Sequence, residues 1–494
     1  MRNGRIILIT AIAAAGLSFS CAGGLLPGTE AAPPSSNNTP APAPVVVNGV
    51  RTSYADVVEK TSPAVVQIRM EKKQAADTGS MQMPFGDDFF RQFGQPAPNR
   101  GPRIERGAGS GVIVNSNGTI LTNNHVVDGA EKITVYTSDN KTYEAKVIGT
   151  DAPSDLAVIK IEAENLPFLT LGNSDEVRVG DIVLAIGNPL DIGETVTAGI
   201  ISAKGRRTGL SDGSFEDFLQ TDAPINRGNS GGALVNLNGE LIGINSQILS
   251  PGGSMGGNIG IGFSIPSNMA KSVMEQLLKD GKVHRGMLGV TIQNITDDTA
   301  KALELGTTEG VLISGVKASS AADKAGLKRG DVITAINGEK IEDTNALRNK
   351  VAGAQPGTEI KLTINRGGSS MDITAALDEF ETPNADKNDP NSPTEGPAND
   401  SSGKLGVVLS PVTPQIQKQL GLDSTDGLVV TDVDPSGPAA SAGIGRGDVL
   451  LEINRKPITS AADVKNALAD SKDKPVLLLV SRRGQTIYLT IRPQ

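Results

Sequence analysis

The feature that most constrains the fold of this sequence is a duplication in its C-terminal part. Three segments recur 117 positions further along the chain: 286–290 as 403–407, 309–313 as 426–430, and 325–333 as 442–450. A constant offset of this length indicates two copies of one small domain, because solenoid repeats are only about 20–50 residues long. We therefore expect two similar domains, at 283–378 and 403–494, after a larger N-terminal region.

The segment between the two copies, residues 379–402, is rich in Pro, Asn, Asp and Ser and poor in apolar residues. Such a composition is typical of a flexible linker. Because the second copy lies beyond this linker, we expect its coupling to any active site in the N-terminal region to be weaker than that of the first copy. The first copy, by contrast, follows a helix predicted over 271–279 almost directly.

A glycine-flanked serine, Ser230, indicates the chemistry of the N-terminal region. It lies in the segment 221–234, between Gly228 and Gly231, and an apolar run follows it. Glycine lets the backbone turn sharply and brings N–H groups close to the atom that a serine hydroxyl attacks. A serine hydroxyl is a weak nucleophile by itself, so this interpretation requires a histidine base and an orienting carboxylate.

The sequence contains two histidines, which makes this requirement easy to test. His125 lies where an apolar run ends in a polar turn, whereas His284 lies among charged residues after the predicted helix. Asp155 stands at the head of an alternating run, 156–161. The order His125, Asp155, Ser230 is the chymotrypsin order of the catalytic triad.

The pattern Gly-x-Ser-x-Gly does not identify the nucleophile by itself, because Ser211 and Ser254 also lie in it. An α/β-hydrolase would need a helix after Ser230, then an acid and then a histidine. Residues 233–244 instead predict a β-hairpin with an Asn-Gly turn. Short alternating runs between 110 and 265 favour a pair of antiparallel barrels.

Three blocks resemble the signature segments of the HtrA/Deg (protease Do-like) serine proteases: Thr-Asn-Asn-His-Val-Val at 122–127, Asp-Leu-Ala-Val at 155–158, and Asn-Arg-Gly-Asn-Ser-Gly-Gly at 226–232. The similarity covers roughly residues 51–494. It implies a mainly β protein with a chymotrypsin-like double β-barrel protease domain at 51–282. Two PDZ domains, small β-sandwiches with two helices, would follow it.

The same resemblance implies roles for individual residues. His125 would act as general base and then as general acid, Asp155 would fix its tautomer, and Ser230 would form the acyl-enzyme. The backbone N–H groups of Gly228 and Ser230 would form the oxyanion hole. A Gly-x-Leu-Gly-Val loop in each PDZ domain would bind a peptide C-terminal carboxylate. The loops comprise Met287, Leu288, Gly289 and Val290 in the first copy, and Lys404, Leu405, Gly406 and Val407 in the second.

Two positions separate this sequence from trypsin-like digestive enzymes. Asn229 stands where those enzymes carry an aspartate that pairs with a newly cut N-terminus, so we do not expect activation by cleavage. Pro224 stands where an aspartate would select basic side chains. We expect an apolar substrate cleft instead, formed by Ile225, Gly228, Asn229, Ser246, Gln247, Ile248, Leu249 and Ser250.

Composition excludes several other classes of protein. The net charge is −9 and no basic cluster stands out, which argues against nucleic acid as a partner. One cysteine and two histidines cannot build a conventional zinc site. No Gly-x-x-x-x-Gly-Lys-[Ser/Thr] motif is present to bind ATP phosphates. We therefore expect a peptidase without a metal or other cofactor.

The N-terminus predicts export from the cytoplasm. Arg2 and Arg5 precede an apolar run, 6–16, that is too short for a permanent span, so we expect a signal peptide at 1–21 and a disordered tether at 22–50. Two interpretations of Cys21 stay open. It is either incidental to ordinary cleavage or the acylated first residue of a lipoprotein, although Ser18 departs from the usual lipobox. Both interpretations place the mature protein in the periplasm.

The predicted function is ATP-independent endoproteolysis of unfolded or misfolded proteins of the bacterial envelope, as part of stress response and protein quality control. The family resemblance implies homotrimers or multiples of trimers. The loop at 74–106 has two open interpretations: it is either a regulatory loop, as the same resemblance implies, or a segment whose phenylalanine cluster forms a small hydrophobic patch covering the barrel. An alternative function is that of a chaperone, holdase or PDZ adaptor with little proteolysis. An intact triad argues against that alternative.

Overall fold

A computed structural model describes most of the chain downstream of residue 45. The described residues are 46–47, 50–74, 103–188, 193–208, 215–226, 228–248, 257–380, 405–422, 424–469, 475–482 and 484–492. The predictions for the signal peptide, Cys21, most of the loop 74–106, Leu249, Ser250 and Lys404 lie outside the described residues.

The chain divides into two compact units, up to Thr52 and from Ser53 onward. The described part of the first unit is an antiparallel pair of short strands, β1 (Val46–Val47) and β2 (Val50–Arg51). All elements named below belong to the second unit.

The second unit begins with a closed six-stranded barrel. Helix α1 (Ala55–Thr61) and a 3-10 turn (Ser62–Ala64) lead into it. Its strands are β3 (Val65–Gln74), β4 (Arg103–Asn115), β5 (Thr119–Thr122), β6 (Lys132–Tyr136), β7 (Thr142–Asp151) and β8 (Leu156–Ile161), closed in the order β3-β4-β5-β8-β7-β6. Helix α2 (Asn124–Val127) follows β5, and a 3-10 turn (Ala152–Ser154) joins β7 to β8.

A second closed barrel follows, with the strand order β10-β11-β14-β13-β12-β9. Its strands are β9 (Ile182–Gly187), β10 (Thr195–Arg206), β11 (Phe218–Thr221), β12 (Ala233–Asn236), β13 (Leu241–Ile248) and β14 (Gly262–Pro266). The hairpin predicted after Ser230 is the antiparallel pair β12–β13. Helix α3 (Ser267–Asp280) is the helix predicted over 271–279, and it buries Ala270, Val273 and Leu277.

One apolar cluster extends from the first barrel into the second. Ile68, Leu121 and Ile159 belong to it from the first barrel, and Ile186, Ile244 and Ile265 from the second. Burial of such side chains contributes about 1.5–3 kcal/mol each. The shared core therefore holds the facing loops of the two barrels in one arrangement, and the candidate site lies on those loops.

The duplicated segments form two domains, which we call the first repeat (286–379) and the second repeat (405–492). The first repeat contains β15 (Gly286–Met287), β16 (Val290–Asn294), α4 (Asp297–Leu303), β17 (Val311–Val316), α5 (Ala321–Lys324), β18 (Val332–Ile336), β19 (Glu339–Lys340), α6 (Thr344–Gly353), β20 (Glu359–Arg366), β21 (Ser369–Ala376) and β22 (Asp378–Glu379). Its main sheet has the order β16-β17-β18-β20-β21, with β19 beside β18.

The second repeat follows the same plan, with the sheet order β23-β24-β25-β27-β28 and β26 beside β25. Its elements are β23 (Val407–Pro411), α7 (Pro414–Leu420), β24 (Leu428–Val433), α8 (Pro438–Ser441), β25 (Val449–Ile453), β26 (Lys456–Pro457), α9 (Ala461–Ala469), β27 (Val476–Arg482) and β28 (Gln485–Ile491). The predicted fold class, two barrels followed by two small β domains, is confirmed.

The linker expected from Glu379 begins later than its composition indicates. Glu379 pairs with Gly286 in the short ladder β15–β22, and the Phe380 N–H donates to the Arg285 carbonyl. These long-range backbone bonds are not visible in local composition.

Among the described helices, none has both the length and the apolar character needed to cross a membrane. The described residues also contain no cluster of three or more metal-ligating side chains.

Candidate active site

Asp155 occupies a left-handed backbone conformation directly after the 3-10 turn, with φ of 54°. Aspartate is one of the few residue types other than glycine that adopt the left-handed conformation at an isolated position. Its N–H donates to the Ala152 carbonyl at 3.1 Å, and its own carbonyl accepts from the Asn124 N–H at 3.1 Å and from Asn123 Nδ2 at 2.9 Å. The backbone of Asp155 is therefore held from both sides.

The His125 imidazole pairs with this carboxylate. Nδ1 lies 2.9 Å from Asp155 Oδ2 and 3.0 Å from Oδ1, and the His125 backbone N–H donates to Oδ1 at 3.1 Å. A carboxylate on Nδ1 assigns the proton to that nitrogen, which leaves Nε2 as the acceptor. The arrangement can therefore supply a base on the side away from Asp155.

Ser246, on β13, connects the carboxylate to Ser230. Its hydroxyl donates to Asp155 Oδ2 at 3.0 Å, and its carbonyl accepts from the Ser230 hydroxyl at 3.0 Å. Within the part of the chain that the structure describes, no hydrogen bond joins Ser230 Oγ to His125. Ser230 would have to rotate its hydroxyl away from Ser246 before His125 could take its proton.

Two glycines with positive φ shape the turn that carries Ser230. Gly228 has φ of 95° and Gly231 has φ of 82°. A Cβ on Gly231 would lie 2.1 Å from the Ser110 carbonyl oxygen, so only glycine fits there. The N–H groups of Gly228 and Ser230 donate to no backbone carbonyl of the described residues. Both donors are available to a ligand oxygen.

Asn229 does not line a cleft in the way that its predicted role requires. Its side chain is only 3% exposed and packs against Gly187, where an added Cβ would meet Asn229 Oδ1 at 2.5 Å. Its Oδ1 has no hydrogen-bond partner among the described residues. Because the residue is neutral and buried, it cannot pair with a charged N-terminus as an aspartate would.

Ile225 provides an apolar side chain next to the turn. It is 1% exposed, and its Cδ1 lies 3.0 Å from the position of a Cβ on Gly262. Ile248 is half-buried and packs against the same cluster. Gln247 instead donates through Nε2 to Thr208 Oγ1 at 3.1 Å, so its side chain contacts the segment that follows β10.

An ion pair that the sequence did not reveal connects the first repeat to this site. Arg285 forms a two-point contact with Asp151, at 2.7 and 2.5 Å, and both side chains are less than a tenth exposed. Asp151 also caps the turn that leads to Asp155, accepting from the Ser154 N–H at 3.1 Å. The two charges lie 134 residues apart in sequence, and no local pattern relates them.

Phe215 completes this junction between the second barrel and the first repeat. The Arg285 guanidinium lies 4.7 Å from its ring centroid, and the ring of Phe380 meets it edge-on at 5.5 Å. The Phe215 backbone N–H donates to the Pro153 carbonyl at 2.8 Å. The segment around 215 is therefore tied to both the first repeat and the turn before Asp155.

Asp217, two residues further on, has an unusual acidity. Burial and, to a smaller extent, the carboxylate of Asp175 raise its pKa from 3.8 to about 6. Asp343 of the first repeat contributes in the same direction, while Lys204 and Lys350 oppose the shift. The junction therefore carries a carboxyl group that titrates close to neutral pH.

The Gly-x-Leu-Gly-Val loops have the same geometry in both repeats. Gly289 and Gly406 have φ of 79° and 72°. The carbonyls of Leu288 and Gly289 accept from the N–H groups of Ala322 and Lys317, and those of Leu405 and Gly406 from Ala439 and Asp434. The N–H groups of these four loop residues donate to no backbone carbonyl in the described ranges.

The side chains of Leu288 and Leu405 belong to the cores of their repeats, at 3% and 2% exposure. Met287 lies in β15, and Val290 and Val407 begin β16 and β23, which are edge strands of their sheets. Each loop thus combines N–H groups that lack a backbone partner in the described ranges with a strand at the end of its sheet, a combination that accepts peptide C-termini in other domains.

Comparison with known proteins gives the same architecture. The trypsin-like peptidase domain family matches residues 109–244, and PDZ domain families match 286–377 and 429–482. A probable periplasmic serine protease do/HhoA-like of Haemophilus influenzae is 42% identical over 453 residues, covering 90% of this chain and 92% of that protein. The periplasmic serine endoprotease DegP of Escherichia coli is 40% identical over 460 residues, covering 89% and 92%.

Among solved structures, the HtrA-type protease AlgW with decapeptide matches with a TM-score of 0.54 and 41% identity, covering 67% of this chain and all of that one. The two sequence relatives named above are 40–42% identical along about nine-tenths of each chain, which establishes common descent. With common descent come the reaction type and the periplasmic location. The chain belongs to the HtrA/Deg (protease Do-like) family and is a periplasmic serine endopeptidase with two PDZ domains.

Proposed function

We propose that Ser230 is the nucleophile of this peptidase, His125 its general base and then acid, and Asp155 the group that orients the imidazole. The observation that carries the proposal is the pair of contacts made by Ser246, which binds Asp155 through its hydroxyl and Ser230 through its carbonyl. The three proposed residues therefore meet within one hydrogen-bonded set that contains Ser246. Ser230 Oγ would attack the substrate carbonyl while its proton passes to His125 Nε2.

In the proposed mechanism the Gly228 and Ser230 N–H groups bind the oxyanion that forms during this attack. Such donors contribute a few kcal/mol each because they are already oriented before the charge develops. The contact between the Ser230 hydroxyl and the Ser246 carbonyl corresponds to a resting state. Substrate that favours the rotated hydroxyl would shift the population toward the reactive state.

The substrates we propose are unfolded or misfolded proteins of the envelope. Pro224 and the apolar Ile225 stand where trypsin-like enzymes that select basic side chains carry an anionic pocket floor. We expect cleavage after small or branched aliphatic residues rather than after Lys or Arg. Mass spectrometry of products from a denatured substrate tests this, and a majority of cuts after basic residues would contradict it.

A role for the repeats in control follows from their loops. We propose that a peptide ending in an apolar residue and a free carboxylate binds the N–H groups of Leu288 and Gly289 and raises hydrolysis of a separate reporter substrate. The same peptide with a C-terminal amide is the matched control, since it lacks only the anion. Equal stimulation by both peptides would show that the carboxylate loop takes no part.

Oligomerisation and anchoring extend the proposal beyond the described residues. Family membership supports a homotrimer or a multiple of trimers, which sedimentation equilibrium measures directly. The mass of the mature N-terminus distinguishes a diacylated Cys21 from ordinary cleavage near it.

The main test is Ser230→Ala, with Ser254→Ala as a matched control in another Gly-x-Ser-x-Gly pattern. Loss of a triad nucleophile costs on the order of 10⁶ in turnover, so casein hydrolysis should disappear in the first variant and persist in the second. A fluorophosphonate probe should label the wild type at Ser230. Absence of labelling in folded wild-type protein would favour the holdase or adaptor alternative.

A further inference from the structure

Ser110, on β4 of the first barrel, is a buried polar residue that the mechanism above does not use. Its exposure is 0%, and its neighbours across the site are the Ser230 turn and the end of β9, both in the second barrel. Burying a hydroxyl group costs free energy of folding unless the group forms hydrogen bonds inside the protein. The partners of this hydroxyl therefore indicate what it does.

All polar atoms of Ser110 are bonded. Its N–H donates to the Ser230 carbonyl at 2.8 Å, and its carbonyl accepts from Thr122 Oγ1 at 2.7 Å. Its hydroxyl donates to the Gly228 carbonyl at 2.6 Å and accepts from the Asn188 N–H at 2.8 Å. One residue of the first barrel thus contacts both ends of the segment Gly228–Ser230.

The Gly228 carbonyl belongs to the peptide that lies between the two proposed oxyanion donors. Glycine rotates freely about φ and ψ, so the Gly228–Asn229 peptide has no intrinsic preference for the observed orientation. The bond from Ser110 to the Gly228 carbonyl oxygen restricts that rotation, and the bond to the Ser230 carbonyl restricts the Ser230–Gly231 peptide. The peptide between them is held by the Gly232 N–H, which donates to the Asn229 carbonyl at 2.9 Å. The directions of the Gly228 and Ser230 N–H groups depend on both restrictions.

The Asn188 N–H determines which way the Ser110 hydroxyl points. Because it occupies a lone pair of Oγ, the hydroxyl proton is directed to the only other partner, the Gly228 carbonyl. The contact therefore has one orientation. Alanine at this position would leave the Asn188 N–H and the Gly228 carbonyl without these partners. The Gly228–Asn229 peptide would then be held only on its N–H side, where Asn229 donates to the Asn226 carbonyl at 3.0 Å.

We propose that Ser110 is a positioning residue that holds the oxyanion-binding N–H groups in their productive orientation across the barrel interface. The proposal rests on the proposed roles of Gly228 and Ser230. It predicts that loss of the hydroxyl weakens binding of the transition state and leaves binding of the uncleaved substrate unchanged, since only the tetrahedral oxygen needs both donors at once.

The test compares Ser110→Ala with Ser267→Ala, in which an equally buried serine hydroxyl, at 1% exposure, loses its bond to the Gly172 carbonyl away from the site. Two affinities are measured by calorimetric titration. The first is for a peptide boronic acid, whose tetrahedral adduct with Ser230 places an oxygen between the two N–H groups. The second is for an uncleaved substrate with a C-terminal amide, measured with Ser230→Ala added to each variant.

We expect Ser110→Ala to lower kcat/KM and boronate affinity by the same factor, about 10- to 100-fold. This is below the roughly 10²–10³-fold cost of removing an oxyanion donor outright. Substrate affinity in the Ser230→Ala background should change less than twofold, and Ser267→Ala should resemble the wild type in both affinities. Irreversibly unfolded protein would lower the binding stoichiometry and not the dissociation constants. Reversible unfolding would weaken both affinities by the same factor, so a loss confined to the boronate affinity reports on the site.

Two results would overturn the inference. One is boronate affinity in Ser110→Ala within twofold of that in Ser267→Ala, and the other is an equal loss of boronate and substrate affinity. A failure of the proposed function looks different, because wild-type protein would then bind the boronate no better than Ser230→Ala does.

Discussion

The two repeats share a fold and an internal clamp but are held to the molecule in different ways. In the first repeat Arg366 binds Asp331 and the Gly326 carbonyl, and in the second Arg482 binds Asp448 and the Gly443 carbonyl. These contacts are equivalent, so the internal structure was duplicated faithfully. The difference between the repeats lies in what covers their surfaces.

Each repeat has a small apolar cluster on the outside of its sheet. Corresponding positions are Ile295 and Val412, Leu303 and Leu420, Leu312 and Val429, and Val332 and Val449. In the first repeat, Leu477, Leu479 and Tyr488 of the second repeat join this cluster. Helix α4 therefore has buried residues, whereas its counterpart α7 has none.

The hairpin that makes this contact differs sharply from its counterpart. Leu479 faces Tyr488 on β27–β28, whereas Thr363 faces Asp372 at the equivalent pair on β20–β21. The first hairpin is thus polar at this place, with Lys361 pairing with Asp372 at 2.8 Å, and cannot cover an apolar cluster. The apolar face of the second hairpin therefore supplies a contact that the polar first hairpin lacks.

Local composition did not predict this docking of the second repeat on the first. Linker composition determines how far a domain can move, but the complementarity of its surface decides whether it does. The first repeat contacts the protease through Arg285 and Phe215, which we call the first junction. The second repeat docks on the first through the cluster that contains Leu477, Leu479 and Tyr488, which we call the second junction.

The largest expected effect comes from breaking the first junction with Arg285→Ala. This leaves Asp151 buried and unpaired, which typically costs about 3–5 kcal/mol. Because Asp151 caps the turn before Asp155, peptidase activity should fall as well. Urea unfolding measures the loss, and Arg285→Lys, which keeps the charge but not the two-point contact, should lose less. A change below about 1 kcal/mol in Arg285→Ala would contradict the assignment.

Breaking the second junction with Tyr488→Ala should have a somewhat smaller effect and spare the protease. Tyr488 is 7% exposed, and truncating a buried aromatic side chain costs roughly 3 kcal/mol. The second repeat should then separate from the first, which small-angle scattering detects as a larger radius of gyration. Asp372→Ala at the equivalent exposed position is the control. An unchanged radius in Tyr488→Ala would show that Tyr488 is not needed to hold the repeats together.

Asp217→Asn tests whether the first junction responds to pH. The folded-state pKa of Asp217 is raised to about 6 from 3.8, so the folded state binds the proton more tightly. The protonated Asp217 carboxyl contributes its full stabilisation of the folded state below about pH 4. This contribution is lost as the pH rises through about 6 and is absent at higher pH. The asparagine variant should therefore be more stable than the wild type at pH 7.5, by on the order of 2 kcal/mol at most. Thermal unfolding at pH 4 and 7.5 measures this, and an equal difference at both values would refute it.

The smallest effect is expected for Arg492→Ala at the second junction. Arg492 pairs with Asp298 at 2.7 Å, but its side chain is 69% exposed. Exposed pairs contribute about 0–1 kcal/mol and weaken with salt. The difference from the wild type should vanish in 1 M NaCl. A loss as large as that of Tyr488→Ala would mean that charge, and not the apolar hairpin, dominates the docking.

Much of the fold and part of the site followed from the sequence because the signals are local. The hairpin after Ser230, helix α3 and the duplication depend on alternation, helical spacing and a constant offset. The pairing of His125 with Asp155 could be predicted since each residue lies in a recognisable block. Ser110, Asn123 and the Arg285–Asp151 pair gave no such signal, because each acts on a partner distant in sequence.

By itself, the sequence determined the residue types, their order along the chain and the periodicity of each element. It therefore determined two antiparallel barrels, two copies of one domain and a serine that can meet a histidine and an aspartate. Only the tertiary structure decided that the Ser230 hydroxyl rests on the Ser246 carbonyl and that the second repeat docks on the first. The physical reason is that both depend on the relative placement of surfaces far apart in the chain, where small differences in packing and hydrogen bonding select one arrangement.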